Sequence, residues 1–385
     1  MRSPERGVQR IAVLRANALG DFVFCVPALA ALRAAYPAAE IVLLGRPWHR
    51  EFLQARPGPV DRVVVVPPSR GVRGDERADE DPRELERFFE RMRGECFDVA
   101  LQLHGGGRFS NPFVTRLGAR LTAGCRAEDA PPLDRWIRYV YLQPEIARWL
   151  EVAALVGARA VGIDPAIAVT EDDREAAREL VDPGPFAVLH PGATDERRRW
   201  PASRFAEVGD ALAAEGLRVV VTGTEPERKV VAAVRAQMRA ESTDACATLS
   251  LGGLCGLLGA ASLVVSNDTG PLHLANAGGA PTVGIFWIGN LVNGAPLYRD
   301  RHRPLPAFRT QCPVCGAVNV TSRCEHDACF VDEVSADDVL RAALELVARR
   351  PAGRVWGAGE RVRAAAPRRR KAPQTAPIEG GTTRG

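Results

Sequence analysis

Leu263-Val264-Val265-Ser266-Asn267-Asp268-Thr269-Gly270-Pro271-Leu272-His273 is the stretch whose reading decides the fold. The run Leu263–Asp268, uncharged as far as Asn267, passes straight into a polar turn, and the turn opens a helix carrying Leu272, Leu274 and Ala275. A strand that is apolar without alternation is buried on both faces, as strands of parallel sheets are. Thr269 and Gly270 stand on the helix N-terminus, where unpaired N–H groups and the positive dipole end attract anions. His273, one turn in, can point at the same anion; a capped helix with a satisfied histidine reads equally well.

Similar runs recur on either side. Ile11–Arg15, Ile41–Gly45, Arg62–Pro67 and Asp98–His104 lie in the first half, and Phe186–His190, Arg218–Thr224 and Pro281–Trp287 in the second. Helical patterns alternate with them at Phe22–Tyr36, Glu84–Arg93, Ser203–Glu215, Glu227–Arg239 and Leu272–Ala277. Repeated strand–helix–strand units predict an α/β protein of two doubly wound, Rossmann-like domains. Ile11-Ala-Val-Leu-Arg15 and Phe186-Ala-Val-Leu-His190 open the two halves alike. The seam falls at Thr170 to Pro185, where an acidic helix ends in Asp-Pro-Gly-Pro. The expected division is therefore an N-terminal domain over 9–175, a C-terminal domain over 183–350 and a basic, disordered tail over 351–385. Ser335, with Asp338 three residues on, caps a last helix running to about Arg350.

Composition narrows the function. Length 385 fits two or three domains, and 46% hydrophobic with 25% charged residues excludes wholesale disorder. The net charge of +4 is carried by the tail, which holds eight cations and two anions; the remainder is slightly acidic, so no basic body exists to grip nucleic acid. Residues 245–267 lack charge, but four glycines and no anchoring residues make them a short buried helix feeding a buried strand rather than a membrane span. Met1–Val8 lacks the apolar core of a signal peptide, and nine cysteines are too few for a disulfide scaffold. Both favour the cytoplasm, where the Arg368–Lys371 run reads either as part of a solvated tail with no partner or as a peripheral contact with an anionic inner-membrane surface.

The strand ends supply the chemistry. After the first strand, Arg15-Ala16-Asn17-Ala18-Leu19-Gly20-Asp21 places Asp21 at a helix start, as an N-cap or as a general base facing a cleft. After Phe186–His190 come Pro191-Gly192-Ala193-Thr194-Asp195-Glu196-Arg197-Arg198-Arg199-Trp200-Pro201, a small-residue loop with clustered cations, suited to a diphosphate or simply a solvated basic turn. Cys312-x2-Cys315-x8-Cys324-x4-Cys329 has pair spacings that fit a structural zinc site or a loop staple, with His326 and Asp327 nearby as substitute ligands. Cys25, Cys96, Cys125, Cys246 and Cys255 read as small core residues. On the first half, His104-Gly105-Gly106-Gly107-Arg108, Arg46, His49 and Arg50 are weaker candidates for an anionic ligand.

Taken in order, these segments resemble glycosyltransferase family 9, the ADP-heptose:lipopolysaccharide heptosyltransferases and their relatives. The resemblance covers about 9 to 350. It rests on Gly20-Asp21 with Pro27; Pro191-Gly192-Ala193 with Arg199-Trp200-Pro201 and Phe205; Thr222-Gly223 with Glu225 and Glu227; and Asp268-Thr269-Gly270 with His273, followed by Gly279-Ala280-Pro281-Thr282. It implies a GT-B fold and an inverting, metal-independent transfer from a nucleotide-diphosphate sugar, ADP-heptose above others, to a lipopolysaccharide-core or other envelope glycan acceptor. Asp21 would be the base; Thr194, Arg198, Asp268, Thr269, Gly270 and His273 the diphosphate and sugar contacts; and Glu225 or Glu227 the ribose partner. The family commonly carries Lys where this chain has Arg198, and the two are not interchangeable, so Arg198 and Arg199 both stand as phosphate ligands. No cofactor is required by this scheme; Cys312, Cys315, Cys324 and Cys329 either hold a structural zinc ion or staple the loop. Two rivals are a nucleotide-sugar epimerase of the same fold, which would turn over donor alone, and a non-catalytic nucleotide-sugar-binding protein.

Overall fold

The computed structural model describes residues 3–320 and 322–349; the tail assigned to disorder, 351–385, lies outside the described residues. The first half runs β1 (Arg10–Leu14), α1 (Leu19–Ala35), β2 (Glu40–Gly45), α2 (Pro47–Leu53), β3 (Arg62–Val65), α3 (Pro82–Gly94), β4 (Val99–Gln102), α4 (Ser110–Thr115), β5 (Leu121–Arg126), β6 (Arg135–Arg138) and α5 (Glu145–Ala154). After α6 (Glu171–Arg178) the second half runs β7 (Phe186–His190), α7 (Ala202–Ala214), β8 (Arg218–Gly223), α8 (Arg228–Gln237), β9 (Ser242–Cys246), α9 (Leu251–Ala260), β10 (Leu263–Asn267), α10 (Gly270–Gly278), β11 (Thr282–Trp287), α11 (Ile288–Gly294), β12 (His302–Ala307) and α12 (Ala336–Ala348).

The strands form two six-stranded sheets, in the orders β3-β2-β1-β4-β5-β6 and β12-β11-β10-β7-β8-β9. Every pairing is parallel. Burial on both faces follows from the unbroken apolar runs. Ile11, Val13, Ile41 and Leu43 pack with Leu29 and Trp149 on one side of the first sheet. Their neighbours Ala12, Leu14, Val42 and Leu44 pack with Phe88, Phe89 and Phe113 on the other. In the second sheet Leu189, Val221, Val265 and Ile285 meet Phe205, Leu212, Val234 and Leu346.

All eight expected strands are present, and four more were not anticipated. Three of those, β6, β9 and β12, are edge strands. An edge strand needs no continuous apolar run, and β12 tolerates Pro304 and Pro306 because an edge leaves backbone positions unpaired. The fourth, β5, is interior, but Thr122, Gly124 and Arg126 interrupt its apolar pattern. Residues 245–267 form the end of β9, the helix α9 and strand β10. Among the described residues no helix is long and apolar enough to cross a membrane.

Caps fix the helix ends. Thr170 and Asp173 form a reciprocal box at α6, Thr170 Oγ1 accepting from Asp173 N at 3.2 Å and the Asp173 carboxylate from Thr170 N at 2.9 Å. Ser335 Oγ accepts from Asp338 N at 3.1 Å, as expected for α12. Contacts between the halves include Asn293 Nδ2 donating to Tyr141 O at 2.7 Å and three more. Arg56 grips Asp173 with two N–O distances of 2.5 and 3.1 Å. Ile167 N donates to Ala277 O at 3.0 Å. The third is the packing of α1 on α10 described below. Helix α6 lies so close to α9 that a Cβ on Gly256 would stand 1.9 Å from the Asp173 carbonyl oxygen. The substitution Gly256→Ala should therefore cost about 3 kcal/mol by overpacking, read as a lowered urea midpoint; an unchanged midpoint would show that the two helices can part freely.

His49, His104 and His302 are buried, and burial holds each imidazole down at about 3. In the unfolded chain each titrates at about 6.5. Below that value the unfolded state takes up protons that the folded state refuses, so stability is full at neutral pH and declines as pH falls from about 6.5 towards about 3. Urea midpoints taken at about pH 8, 6 and 5 should fall in that order, and a flat profile would mean that the three rings open to water in the native state.

Candidate active site

In an open α/β sheet, ligands bind outside the carboxyl ends of the strands, where the strand order reverses. The order reverses between β1 and β4 in one sheet and between β10 and β7 in the other. Asp21 follows β1, the His104 glycine loop follows β4, Pro191–Arg199 follow β7, and Asp268–His273 follow β10. Glu225 and Glu227 follow β8, the neighbour of β7.

Asp21 occupies the third position of α1 rather than its first residue. One carboxylate oxygen accepts from Ala18 N at 3.3 Å, and the other lies 3.2 Å from the Arg15 guanidinium. Its side chain is 39% exposed whereas that of Arg15 is 2% exposed. Asp21 therefore serves as a helix-start acceptor and still faces solvent. Arg15, which sequence reasoning passed over, is anchored by Asp21 O at 2.9 Å, Leu103 O at 2.6 Å and the Trp149 ring at 4.9 Å. Its only signal was an arginine closing an otherwise apolar strand. The loop between Arg15 and Asp21 is held from outside, with Arg46 Nε donating to Ala16 O at 2.6 Å and Ala16 N donating to His104 Nδ1 at 3.3 Å. His49 does not reach a ligand surface. It is buried, stacked on Trp48 at 3.6 Å, and Nδ1 accepts from Arg46 N at 3.0 Å. Arg108 is exposed beside Glu76 and Asp129.

On the second half, Asp268 is the buried centre. Its carboxylate meets Arg198 NH1 at 3.3 Å with one oxygen and His273 Nε2 at 3.1 Å with the other. Thr269 is the N-cap of α10 and Gly270 its first residue, so the free N–H end of that helix opens beside these groups. Asn267, also not singled out beforehand, binds the two loops together. Its Nδ2 donates to Pro191 O at 2.8 Å and its Oδ1 accepts from Trp200 N at 3.1 Å.

Geometry separates the paired candidates. Arg198 faces Asp268, whereas Arg199 turns back on its own loop, donating to Ala193 O at 2.9 Å and to Glu196 at 2.6 Å. Glu227 is buried and accepts from Thr224 N and Thr224 Oγ1, both at 2.8 Å. It lies over Gly192, where a Cβ would fall 2.2 Å from its carboxyl group, so this glycine is required for the approach. Glu225 is exposed and paired with Arg228 at 2.8 Å. Thr194 is exposed in the β7 loop. His190, at the end of β7, shares a hydrogen bond with Thr222 Oγ1 at 3.1 Å, and burial lowers its pKa against the pull of Glu227.

The two strand-end surfaces meet at α1 and α10. A Cβ on Gly20 would lie 2.8 Å from the His273 ring, and one on Gly270 would lie 3.1 Å from Leu19 Cβ. Phe24 packs edge-on to His273 at 4.6 Å. Asp21 is thus one residue from the contact with His273, the last member of the Arg198–Asp268–His273 chain, and the gap between the two sets of strand ends at this contact is the candidate crevice.

The cysteine segment departs from its expected grouping. Cys312, Cys315 and Cys324 gather with His326, whereas Cys329 Sγ donates to Arg199 O at 3.2 Å. Cys25, Cys125 and Cys255 are buried and pushed up to about 12 by burial, but Cys96, expected in the core, is exposed.

The family model for glycosyltransferase family 9 (heptosyltransferase) matches residues 85–301, more than half of the chain; Asp21 and the cysteine cluster lie outside the match. Lipopolysaccharide heptosyltransferase 2 of Salmonella typhimurium is 24% identical over 296 residues, covering 72% of this chain and 82% of that protein. A glycosyl transferase family 9 structure from Veillonella parvula superposes with a TM-score of 0.74 at 21% identity, over 91% of this chain and all of that one. The structure of ADP-heptose lps heptosyltransferase II of E. coli superposes with a TM-score of 0.69 at 18% identity, over 88% and 98%. With these matches and two parallel sheets of six strands each, the chain belongs to glycosyltransferase family 9, the heptosyltransferase family, and has the GT-B fold.

Proposed function

We propose that this protein is an inverting glycosyltransferase that moves a heptose from ADP-heptose to a lipopolysaccharide-core acceptor, with residues 9–175 receiving the acceptor and 183–350 the donor. The observation that carries the reading is the buried Asp268 carboxylate held between Arg198 and His273 beside the free N-terminus of α10. Departure of a nucleoside diphosphate builds negative charge on its phosphates. A guanidinium and a helix N-terminus fixed in advance stabilise that charge without reorganising, so the transfer itself needs no metal. Arg198, rather than Arg199, is the phosphate ligand, since only its guanidinium faces this chain of polar groups. Glu227, rather than Glu225, is the ribose partner, because its carboxylate is fixed against the glycine loop while that of Glu225 points to solvent beside Arg228.

Asp21 approaches from the other half. As base it would take the proton of the acceptor hydroxyl while that oxygen attacks the anomeric carbon, the sugar–phosphate bond breaks, and the electron pair leaves on the diphosphate. Attack opposite the leaving group inverts the anomeric centre. The buried Arg15 guanidinium, 3.2 Å from the Asp21 carboxylate, positions the base. We place the enzyme in the cytoplasm, where nucleotide sugars are made, with the basic tail suited to the anionic membrane surface that carries a glycolipid acceptor.

Two experiments test the assignments. Asp21→Asn should lower kcat by about 10²- to 10⁴-fold, the range for loss of a general base, while ADP affinity stays within about twofold; transfer at the wild-type rate would remove Asp21 from the chemistry. By calorimetric titration with ADP, Arg198→Ala and Glu227→Ala should each weaken binding about tenfold or more, as expected for lost charge-assisted hydrogen bonds. Arg199→Ala and Glu225→Ala should change it little. The reverse ranking would exchange the members of each pair.

A further inference from the structure

Three sulfurs and one imidazole converge outside the crevice. The ligand atoms of Cys312, Cys315, Cys324 and His326 all lie within 4.8 Å of one another. Tetrahedral ligands at about 2.3 Å from a zinc ion stand about 3.8 Å apart, so an inward shift of about half an ångström by each member of the widest pair would close a shell. A disulfide would use two of these sulfurs and leave the third sulfur and the imidazole unexplained. The segment is also shaped for thiolates. Cys312-Pro313-Val314-Cys315-Gly316 folds into a tight turn, with Gly316 at φ +73° and its N–H donating to Cys312 O at 2.9 Å. Cys312 N donates to Ala317 O at 2.9 Å, closing the turn. Two N–H groups are aimed at sulfur, Val314 N at Cys312 Sγ and Asn319 Nδ2 at Cys324 Sγ, both at 3.4 Å. Such donors favour the thiolate, the form that ligates metal. His326 Nδ1 is buried and has no hydrogen-bond partner among the described residues.

The same segment is wired to the arginines after β7. Asn319 Oδ1 accepts from Cys324 N at 3.1 Å and from Arg197 NH1 at 2.7 Å. Phe330 N donates to Arg197 O at 2.8 Å, and the Arg197 guanidinium lies over the Phe330 ring at 5.7 Å. Cys329 holds Arg199 O. The residues on either side of Arg198 are thus both tied to the cysteine segment, and Arg198 itself meets Asp268.

We infer that Cys312, Cys315, Cys324 and His326 bind one zinc ion, and that this ion fixes the conformation of residues 195–199 and thereby the position of Arg198. Thiolate-rich tetrahedral sites with one imidazole suit zinc. The first part stands on the cluster alone; the effect on Arg198 as a donor ligand rests on the proposed donor reading. Asn319 is a positioning residue, linking one metal ligand to Arg197 through a single side chain.

The test begins with metal. The purified full-length protein should contain about one zinc per chain by plasma emission spectrometry, and a mercurial reagent that caps thiols should release it from the folded wild-type protein. Chelator-stripped protein titrated with cobalt(II) should develop the visible bands of a tetrahedral, thiolate-rich site. Cys329→Ser should leave metal content and cobalt spectrum unchanged, and His326→Ala should shift the spectrum and weaken zinc binding. Removal of zinc should speed amide hydrogen exchange at Arg198 and Phe330 while β8 stays protected. It should also raise the ADP dissociation constant about tenfold, the lower end of outer-shell effects at metal sites, with recovery when zinc is restored. Asn319→Ala should retain zinc and reproduce the faster exchange. Negligible zinc together with no cobalt spectrum would overturn the site. Full zinc with exchange at residues 195–199 indifferent to its removal would overturn the coupling. A zinc-loaded protein that binds no ADP would count against the donor reading alone, since metal content and exchange do not depend on it.

Discussion

The close approach of α1 and α10 is the constraint on which the crevice depends. Each helix begins at the carboxyl end of a switch-point strand, and each presents a glycine to the other at its start. A Cβ on Gly20 would press the His273 ring at 2.8 Å, and one on Gly270 would press Leu19. Bulkier residues would hold the helices apart and separate Asp21 from the polar groups of the second half. With glycine at both places, two helix N-termini and their positive dipole ends open on one crevice. That field favours anions there before any side chain is counted.

Around this contact the polar groups are held rather than left to search. Burying a carboxylate is costly unless it is paired, and Asp268 is paired on both oxygens. Asn267 ties the β7 loop to the end of β10, so the arginine segment and the start of α10 move as one. In the first half, buried Arg15 does the corresponding work for Asp21, with Trp149 and Leu103 O behind it. Groups fixed in advance in this way are the usual source of electrostatic stabilisation in enzyme sites. Under the proposed reading, the zinc-bound segment extends that fixing one layer outward, through Asn319 and Arg197, to the arginine facing Asp268.

The fold was legible wherever burial on both faces wrote itself as an unbroken apolar run. The strands β1, β2, β4, β7, β8, β10 and β11 are of that kind, and so were the loops that follow them. Of the four edge strands only β3, with its Val63–Val66 run, was legible; at the others one open side removes the demand for apolar residues, and Arg135–Arg138 and the proline-bearing His302–Ala307 carry no such pattern. Asp21 was singled out as a candidate, but Arg15 beside it was not. A buried arginine becomes meaningful only when the carbonyl of Leu103 and the ring of Trp149, far along the chain, are brought to it. Asn267 was missed for the same reason, because its partners Pro191 and Trp200 lie about seventy residues away.

The sequence by itself determined the two parallel sheets, the strand ends that carry chemistry, and the family to which those motifs belong. These are local properties, set by hydrophobic period, glycine and helix-start residues at short spacing. Tertiary structure alone decided between residues of the same type and neighbourhood. Arg198 faces Asp268 while Arg199 folds back on its loop; Glu227 lies over Gly192 while Glu225 meets water; His326 joins the cysteines while Cys329 donates to the carbonyl oxygen of Arg199. Adjacent residues have nearly equal propensities and charge, so composition cannot rank them. The direction each side chain takes is set by contacts with segments distant in the chain.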